Sequence, residues 1–465
     1  MYYIVVFWFG LSLITGLILG RKFFYSLIER TTSLLNAMLE TDESDDVKQR
    51  LLIQHLGRLV ITLLILILVI SLITFISLLP GYLYVKLNHL ESESLDYGST
   101  MFYIILISSS TIPFILMKLL SKKKDYSEWS ILFHRIIFNN YNISKGLFGF
   151  EKSLFKSKTK ELNNRFIIVS GLARAGTTAL TTLLHDTNQF HSLSYANMPL
   201  LLSPNFWRKF YHPKSDELRE RSHGDRVMFG HNTVEALEEF FWTVHLKNEF
   251  VTSDTLNRHE VSKEIYQQYL IYQSLIKQSN SNETIYLAKN NNFILRYNSL
   301  RKLNADFVIV ILFRDPLEHA YSLLNQHQRY TKFQTEDAFI KEYMGWLGHY
   351  EFGLSHKHFD FSTSESLKEF DEYSINYWLR IWIDYYTYIA ALPEDRNLVL
   401  VNYKDFLNSP EIIVKGIGNK LNVVLRTDAI SRFDNEKTIN FDGDDNLKSE
   451  AYAVHQRLLS RKNIL

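Results

Sequence analysis

The chain has 465 residues, a formal net charge of +1 and no cysteine. Near-neutral charge gives no global pull toward nucleic acid, and the missing cysteines exclude disulfides, thiolate metal sites and cysteine nucleophiles. Proline is scarce at 8, while phenylalanine and tyrosine number 32 and 27, so the length leaves room for a large aromatic core and not for long proline-rich linkers.

Residues 2–20, 59–79 and 101–120 are apolar runs, each close to the ~20 residues that span a bilayer as a helix. Three spans are expected. Ser108, Ser109, Ser110, Thr111 and Pro113 interrupt the third, which spanning helices tolerate when neighbours satisfy the backbone. The first run lacks a basic leader and a small-residue cleavage site and reads as a retained helix. Arg21, Lys22, Lys48, Arg50, Arg58, Lys118, Lys122, Lys123 and Lys124 share one side if the N-terminus is outside, and the opposite loop carries Glu91, Glu93 and Asp96. By the positive-inside rule the C-terminal part is expected on the cytoplasmic face. Phe23, Phe24, Leu27, Ile28, Leu34, Leu35 and Leu39 recur at helical spacing, as do Trp129, Ile131, Leu132, Ile136 and Ile137. Both patterns predict amphipathic helices, lying at the interface or packed on the rest of the protein.

From residue 160 onward short apolar runs alternate with helical stretches, the signature of a three-layer parallel α/β sheet. The clearest strands are 166–170, 285–288, 307–313 and 398–402, continuous apolar runs of the kind expected when both faces are covered. The expected division is a membrane region over 1–120, a juxtamembrane segment over 121–160 and an α/β domain over 161–465.

After the first of these strands stands Gly171-Leu-Ala-Arg-Ala-Gly-Thr-Thr178. Gly171 and Gly176 permit positive φ and close backbone approach, and a helix opening near Gly176 aims unpaired N–H groups and its positive dipole end at one spot. This reads as a phosphate cradle, with an ordinary glycine-containing strand-to-helix connection as the alternative. It almost fits the nucleotide P-loop, but Thr177 stands where that motif has the lysine that reaches the β and γ phosphates. The basic group lies inside the loop, at Arg174. Two more strands end in basic residues, Lys289 and Arg314, and Arg314-Asp-Pro-x5-Ser322 offers a guanidinium and a hydroxyl from one strand-turn-helix corner, a second phosphate site.

Gly171-Leu-Ala-Arg-Ala-Gly-Thr-Thr178 resembles the 5′-phosphosulfate loop of sulfotransferases that use 3′-phosphoadenosine-5′-phosphosulfate (PAPS), and Arg314-Asp-Pro-x5-Ser322 resembles their 3′-phosphate motif. Residues 398–406 are similar to that family's Val-x-Tyr-Glu-Asp-Leu strand, and Lys289-Asn290-Asn291 falls where members carry a lysine. The resemblance covers about residues 165–465. It implies a PAPS site made by Gly171, Arg174, Ala175, Gly176, Thr177, Thr178, Arg314 and Ser322. Arg174 and Lys289 would face the leaving phosphate, no metal would be required, and the acceptor would be a hydroxyl or amine of a glycan, lipid or small molecule. Related enzymes of secretory compartments face the lumen.

Soluble members place a histidine base at the position of Asn291, and asparagine cannot take a proton. Many membrane-bound members use a glutamate. The segment 223–242 offers Glu235, Glu238 and Glu239, three and four residues apart, on an expected helix with Thr233 as N-cap; His223 is a further candidate. The same acidic residues also suit the ordinary start of a helix. His349, His356 and His358 lack regular ligand spacing and read as aromatic packing and surface loop. Trp378, Trp382, Tyr377, Tyr385 and Tyr386 repeat at helical spacing as core, and Arg461-Lys462 reads as a solvated tail. A kinase or NTPase on the same fold, or a non-catalytic nucleotide-binding membrane module, are the alternatives.

Overall fold

The computed structural model describes residues 2–40, 43–88, 99–120, 128–159, 162–212, 219–220, 228–230, 232–277, 284–361, 367, 369–426 and 443–462. They form two compact units, Met1–Ile143 and Ser144–Leu465.

The first unit is helical: α1 (Tyr2–Met38), α2 (Asp45–Leu87), α3 (Thr100–Leu120) and α4 (Glu128–Phe138), with α5 (Tyr141–Leu154) next in the chain. The amphipathic helix expected after residue 20 is the continuation of α1, because no glycine or proline follows Gly20 before the helix ends. With 37 and 43 residues, α1 and α2 are ~55 and ~65 Å long at 1.5 Å per residue, against ~30 Å of bilayer hydrocarbon. Only 11% and 6% of their most apolar stretches are buried, unlike a soluble core helix. Helix α3 runs unbroken through its polar stretch because Ser108, Ser109 and Thr111 donate to carbonyls three residues back at 2.9–3.0 Å, so their hydroxyls need no outside partner. Small residues bring the helices together: a Cβ on Gly10 would lie 2.1 Å from Ser109 Oγ, and Ser12 Oγ donates to Ser77 Oγ at 3.0 Å. Ion pairs Arg21–Glu128 (2.5 Å) and Arg135–Glu29 (3.3 Å) tie α4 to α1.

The second unit is built on a parallel sheet of five strands: β1 (Phe166–Ser170), β2 (Phe190–His191), β3 (Ile285–Lys289), β4 (Val308–Phe313) and β5 (Leu398–Asn402), in the order β2-β3-β1-β4-β5. Alternate strand residues face opposite layers. Ile167, Val169, Leu287, Val310, Leu312 and Val399 cluster with Leu180 and Leu184 of α6 (Thr177–His185) and with Val414, Ile417 and Leu421 of helix Pro410–Leu421. On the other face Phe166 meets Tyr269 edge-on and Phe313 meets His455. That layer includes α8 (Lys263–Ile276), α10 (Ile375–Ala391) and α11 (Asp445–Arg461); α7 (Glu239–His245) precedes α8 in the chain, and α9 (Pro316–Glu336) follows β4. Trp378, Trp382, Tyr385 and Tyr386 of α10 are fully buried, as their spacing predicts. Arg461 is not a solvated tail: its guanidinium donates to the carbonyls of Ala390 and, at 2.7 Å, Leu392, capping the end of α10.

The expected helix from Thr233 through Glu239 is replaced by a bridge and a turn. Val234 pairs with Ser194, Leu237 N donates to Glu235 O at 2.8 Å, and α7 begins only at Glu239. Thr233 Oγ1 instead accepts from Gly230 N at 2.8 Å.

Candidate active site

In an open parallel sheet, the carboxyl ends of the strands form the crevice where ligands bind. Here β1 lies between β3 and β4, so the loop after β1 meets the segments that follow both neighbours. Gly171 has φ +142°, and a Cβ there would lie 2.7 Å from Leu312 O; Gly176 has φ +99°, and a Cβ would strike the Tyr403 ring at 2.5 Å. Both positions therefore require glycine. Arg174 also adopts positive φ, at +72°, a conformation that a long side chain takes only when its surroundings hold it there. What holds it is visible. Its Nε reaches Ser322 Oγ at 3.3 Å, and the carbonyl of Ala173 beside it accepts from His319 Nε2 at 2.8 Å. Burial, with Arg314 and Arg174 adding to it, holds the His319 imidazole down to about 3, so the ring is neutral and its proton sits on Nε2.

The corner after β4 is set by Asp315, whose Oδ1 accepts from Leu317 N and Glu318 N at 3.0 and 3.1 Å, with Pro316 at the first helical position of α9. One turn further along α9, Glu318 Oε2 accepts from Arg314 Nε and Nη2 at 3.0 and 2.7 Å. The Arg314 guanidinium also lies 5.0 Å from the Tyr403 ring centroid. Arg174 and Ser322 thus join the two halves of the expected phosphate-binding set. Arg314 is held at the same corner by the Glu318 carboxylate.

The acidic segment separates into three environments. Glu235 Oε1 is ion-paired with Lys289 Nζ at the end of β3, both side chains nearly buried. Glu238 accepts from Tyr269 Oη at 2.6 Å, Tyr286 Oη at 2.8 Å, Asn290 Nδ2 at 2.9 Å and Trp242 Nε1 at 3.3 Å. Burial pushes its carboxyl above the usual range while these donors pull it back. Glu239 takes a two-point grip from Arg296 at 2.8 and 2.7 Å, and Asn290 Nδ2 at 2.9 Å. Arg296 is fully buried, stacks 4.8 Å from Trp242 and donates to His259 Nε2 at 3.0 Å. Glu238 and Glu239 are therefore saturated with donors, an arrangement suited to anchoring the segment after β3. His223 lies outside the described residues.

Asn291 Nδ2 donates to Glu351 Oε1 at 3.1 Å, and Glu351 Oε2 faces His349 Nδ1 at 3.5 Å. Burial pushes the Glu351 carboxyl up, but His349, its own backbone and Lys289 outweigh it and hold it down to about 2. His349 thus stands apart from the other two histidines of its segment: His356 packs against Trp378 and Tyr377, and His358 lies in a short strand paired with Thr255–Asn257. Among the described residues no group of three or more histidines and carboxylates is placed to hold a metal ion.

No protein-family model matches the chain, and no curated protein is similar to it. Among solved structures it is similar to sulfotransferase STF1 of Mycobacterium tuberculosis H37Rv, with 14% identity over 81% of this chain and 96% of that one, at a TM-score of 0.39. It is also similar to sulfotransferase STF9 of Mycobacterium avium, with 12% identity over 82% and 94% and a TM-score of 0.39. A third is the sulfotransferase domain from the curacin biosynthetic pathway, with 14% identity over 65% and 100% and a TM-score of 0.33.

His319, Tyr403 and the His349–Glu351 pair went unread as site elements in the sequence. His319 had one available signal, three residues before Ser322 and so on the same face of α9. Tyr403 had another, since it opens the helix that follows β5. His349 and Glu351 sit in a turn far in sequence from the ends of β3 and β4, with nothing local to mark them.

Proposed function

We propose that this protein is a membrane-anchored sulfotransferase that moves a sulfuryl group from PAPS to a hydroxyl or amine of a glycan, lipid or small-molecule acceptor. The observation that carries this reading is the Arg174–Ser322 contact. It brings the glycine loop after β1 against the helix that follows the Arg314 corner after β4, an arrangement in which the two could serve one nucleotide charged at both its 5′ and 3′ positions. A nucleoside triphosphate needs the lysine that Thr177 replaces, and gains nothing from a second, separate phosphate corner.

In this reading the N–H groups of Gly176, Thr177 and Thr178, at the start of α6, hold the 5′-phosphosulfate with the Thr177 and Thr178 hydroxyls. Ala175, fully buried, keeps the loop tight. Arg174 and Lys289 face the phosphate oxygen that gains charge as sulfur leaves it, and preorganised charge at that point is the main source of rate in an in-line transfer. Arg314 and Ser322 take the 3′-phosphate. Glu235, paired with Lys289, holds that ammonium in place and is one candidate for the proton acceptor.

Helices α1, α2 and α3 would cross the bilayer, with Arg21 and Lys22 in the later half of α1 and Lys48, Arg50 and Arg58 in the first half of α2 on the cytoplasmic side together with the 161–465 domain. The test uses the full chain purified in detergent. PAPS binding measured by calorimetry should be present in the wild type and weakened on Arg314→Ala by about 10- to 100-fold, the loss of one charge-assisted two-point contact. Mg-ATP turnover in a chain that does not bind PAPS would overturn the proposal.

A further inference from the structure

The acceptor must lose a proton, and the groups first in line for it are already engaged. Lys289 holds Glu235, four donors converge on Glu238, and Arg296 with Asn290 holds Glu239. The side chain of Asn291 is an amide. Among the described residues one titratable pair at the same strand end remains, His349 and Glu351.

The turn carrying this pair is built against the segment that follows β3. Gly348, at φ +70°, accepts from Asn292 Nδ2 at 2.9 Å, and a Cβ there would fall 2.4 Å from Glu239 Cγ. His349 N closes the turn on Met344 O at 2.9 Å. Asn291 Nδ2 orients Glu351 through Oε1 at 3.1 Å, and Glu351 Oε2 faces His349 Nδ1 at 3.5 Å. A carboxylate at Nδ1 fixes the tautomer with its proton there, leaving Nε2 as the basic nitrogen. Nε2 takes no protein hydrogen bond among the described residues, and the His349 side chain keeps 23% of its surface exposed, enough for an acceptor to reach it. Lys289, the residue that faces the leaving group in the reading above, lies within electrostatic range of the same Glu351 carboxylate.

We propose that His349, oriented by Glu351 and through it by Asn291, is the general base that takes the acceptor's proton. The inference rests on the sulfotransferase reading above. As the acceptor oxygen forms its bond to sulfur, its proton passes to His349 Nε2. The bond from sulfur to the 5′-phosphate oxygen breaks, and adenosine 3′,5′-bisphosphate leaves with the electron pair. The imidazolium is held by Glu351 until it releases the proton to solvent. Asn291 thus keeps a part in the chemistry by positioning the carboxylate that positions the base.

The experiment uses the full chain in detergent, sulfur-labelled PAPS and a total membrane extract as the source of acceptors. His349→Ala should lower the rate of label transfer by about a hundredfold or more, the usual share of a general base, with PAPS affinity unchanged within about twofold, the expectation for a group that does not touch the donor. Added imidazole should restore a substantial part of the lost rate, which a merely structural histidine would not allow. Glu351→Gln should give a smaller loss in the same direction. His349→Gln, closer in size, guards against misfolding of the alanine variant and should lose rate with an unchanged melting temperature. A His349→Ala rate near wild type overturns the assignment, as does loss without imidazole rescue or loss together with PAPS binding. So does abolition of transfer by Glu235→Gln with His349→Gln active. A wild type that binds no PAPS defeats the sulfotransferase reading itself, a separate result.

Discussion

Glu318 offers the sharpest test of what Arg314 is for. Its carboxylate accepts two hydrogen bonds from the Arg314 guanidinium, and the side chains are 17% and 33% exposed for Arg314 and Glu318. A pair so partly screened, one helical turn apart, stabilises the fold by about 0.5–1 kcal/mol. If Arg314 receives the 3′-phosphate, that pair must open when the donor binds, and its energy is subtracted from the binding energy. Glu318→Ala removes the competitor in advance. PAPS affinity should then rise by about two- to fivefold, the same 0.5–1 kcal/mol at RT of ~0.59 kcal/mol, while the melting temperature falls slightly. The sign is the discriminating feature, because stability and affinity move in opposite directions. Calorimetric titration of both proteins at one ionic strength measures it, and affinity that is unchanged or weaker in Glu318→Ala would refute the role given to Arg314.

Two further outcomes follow from buried groups. Glu239→Gln leaves the fully buried Arg296 without its counter-charge, and breaking such a pair costs about 3–5 kcal/mol; urea unfolding in detergent should show it, and a loss below ~1 kcal/mol would place the pair in water. His319 makes stability depend on pH: its folded value of about 3 lies below the ordinary 6.5, so its contribution is complete above pH 6.5 and is lost as pH falls toward 3. At one unit below 6.5 the loss is on the order of 1 kcal/mol, so His319→Gln should lose less stability than the wild type on acidification, and equal losses would refute the buried neutral ring.

Much of the second unit could be read from sequence because its signals are local. Continuous apolar runs announced β1, β3, β4 and β5, and the glycines around Arg174 marked the turn, since positive φ and close backbone approach leave few other residues possible. Strand β2 has only two residues, too short for any pattern. The helix expected from Thr233 failed for a tertiary reason: Val234 pairs with Ser194, and an extended bridge overrides a run that spacing alone would make helical. His319 reaches a carbonyl 146 residues away in sequence, and His349 acquires its neighbours only when the chain returns to the end of β3. Contacts of that range leave no periodicity to detect.

The consequence of that bridge reaches beyond secondary structure. On a regular helix Glu235, Glu238 and Glu239 would share one face and repel one another. The turn instead sends Glu235 to Lys289, Glu238 to Tyr269 and Tyr286, and Glu239 to Arg296. Three buried carboxylates are tolerable only because each meets its own donors. Asn290 Nδ2 touches both Glu238 and Glu239, and Glu239 Cγ supports Gly348, the residue before His349. One acidic segment therefore sets the positions of Lys289 and of the His349 turn together. The loop of Gly171 to Thr178 and the Arg314 corner are held separately, through Ser322, His319 and Tyr403. If the sulfotransferase proposal holds, disturbing the first scaffold displaces Lys289 and His349 while leaving the proposed donor loop standing, so variants of Glu239 that remain folded should match His349 variants in their kinetics and not Arg314 variants.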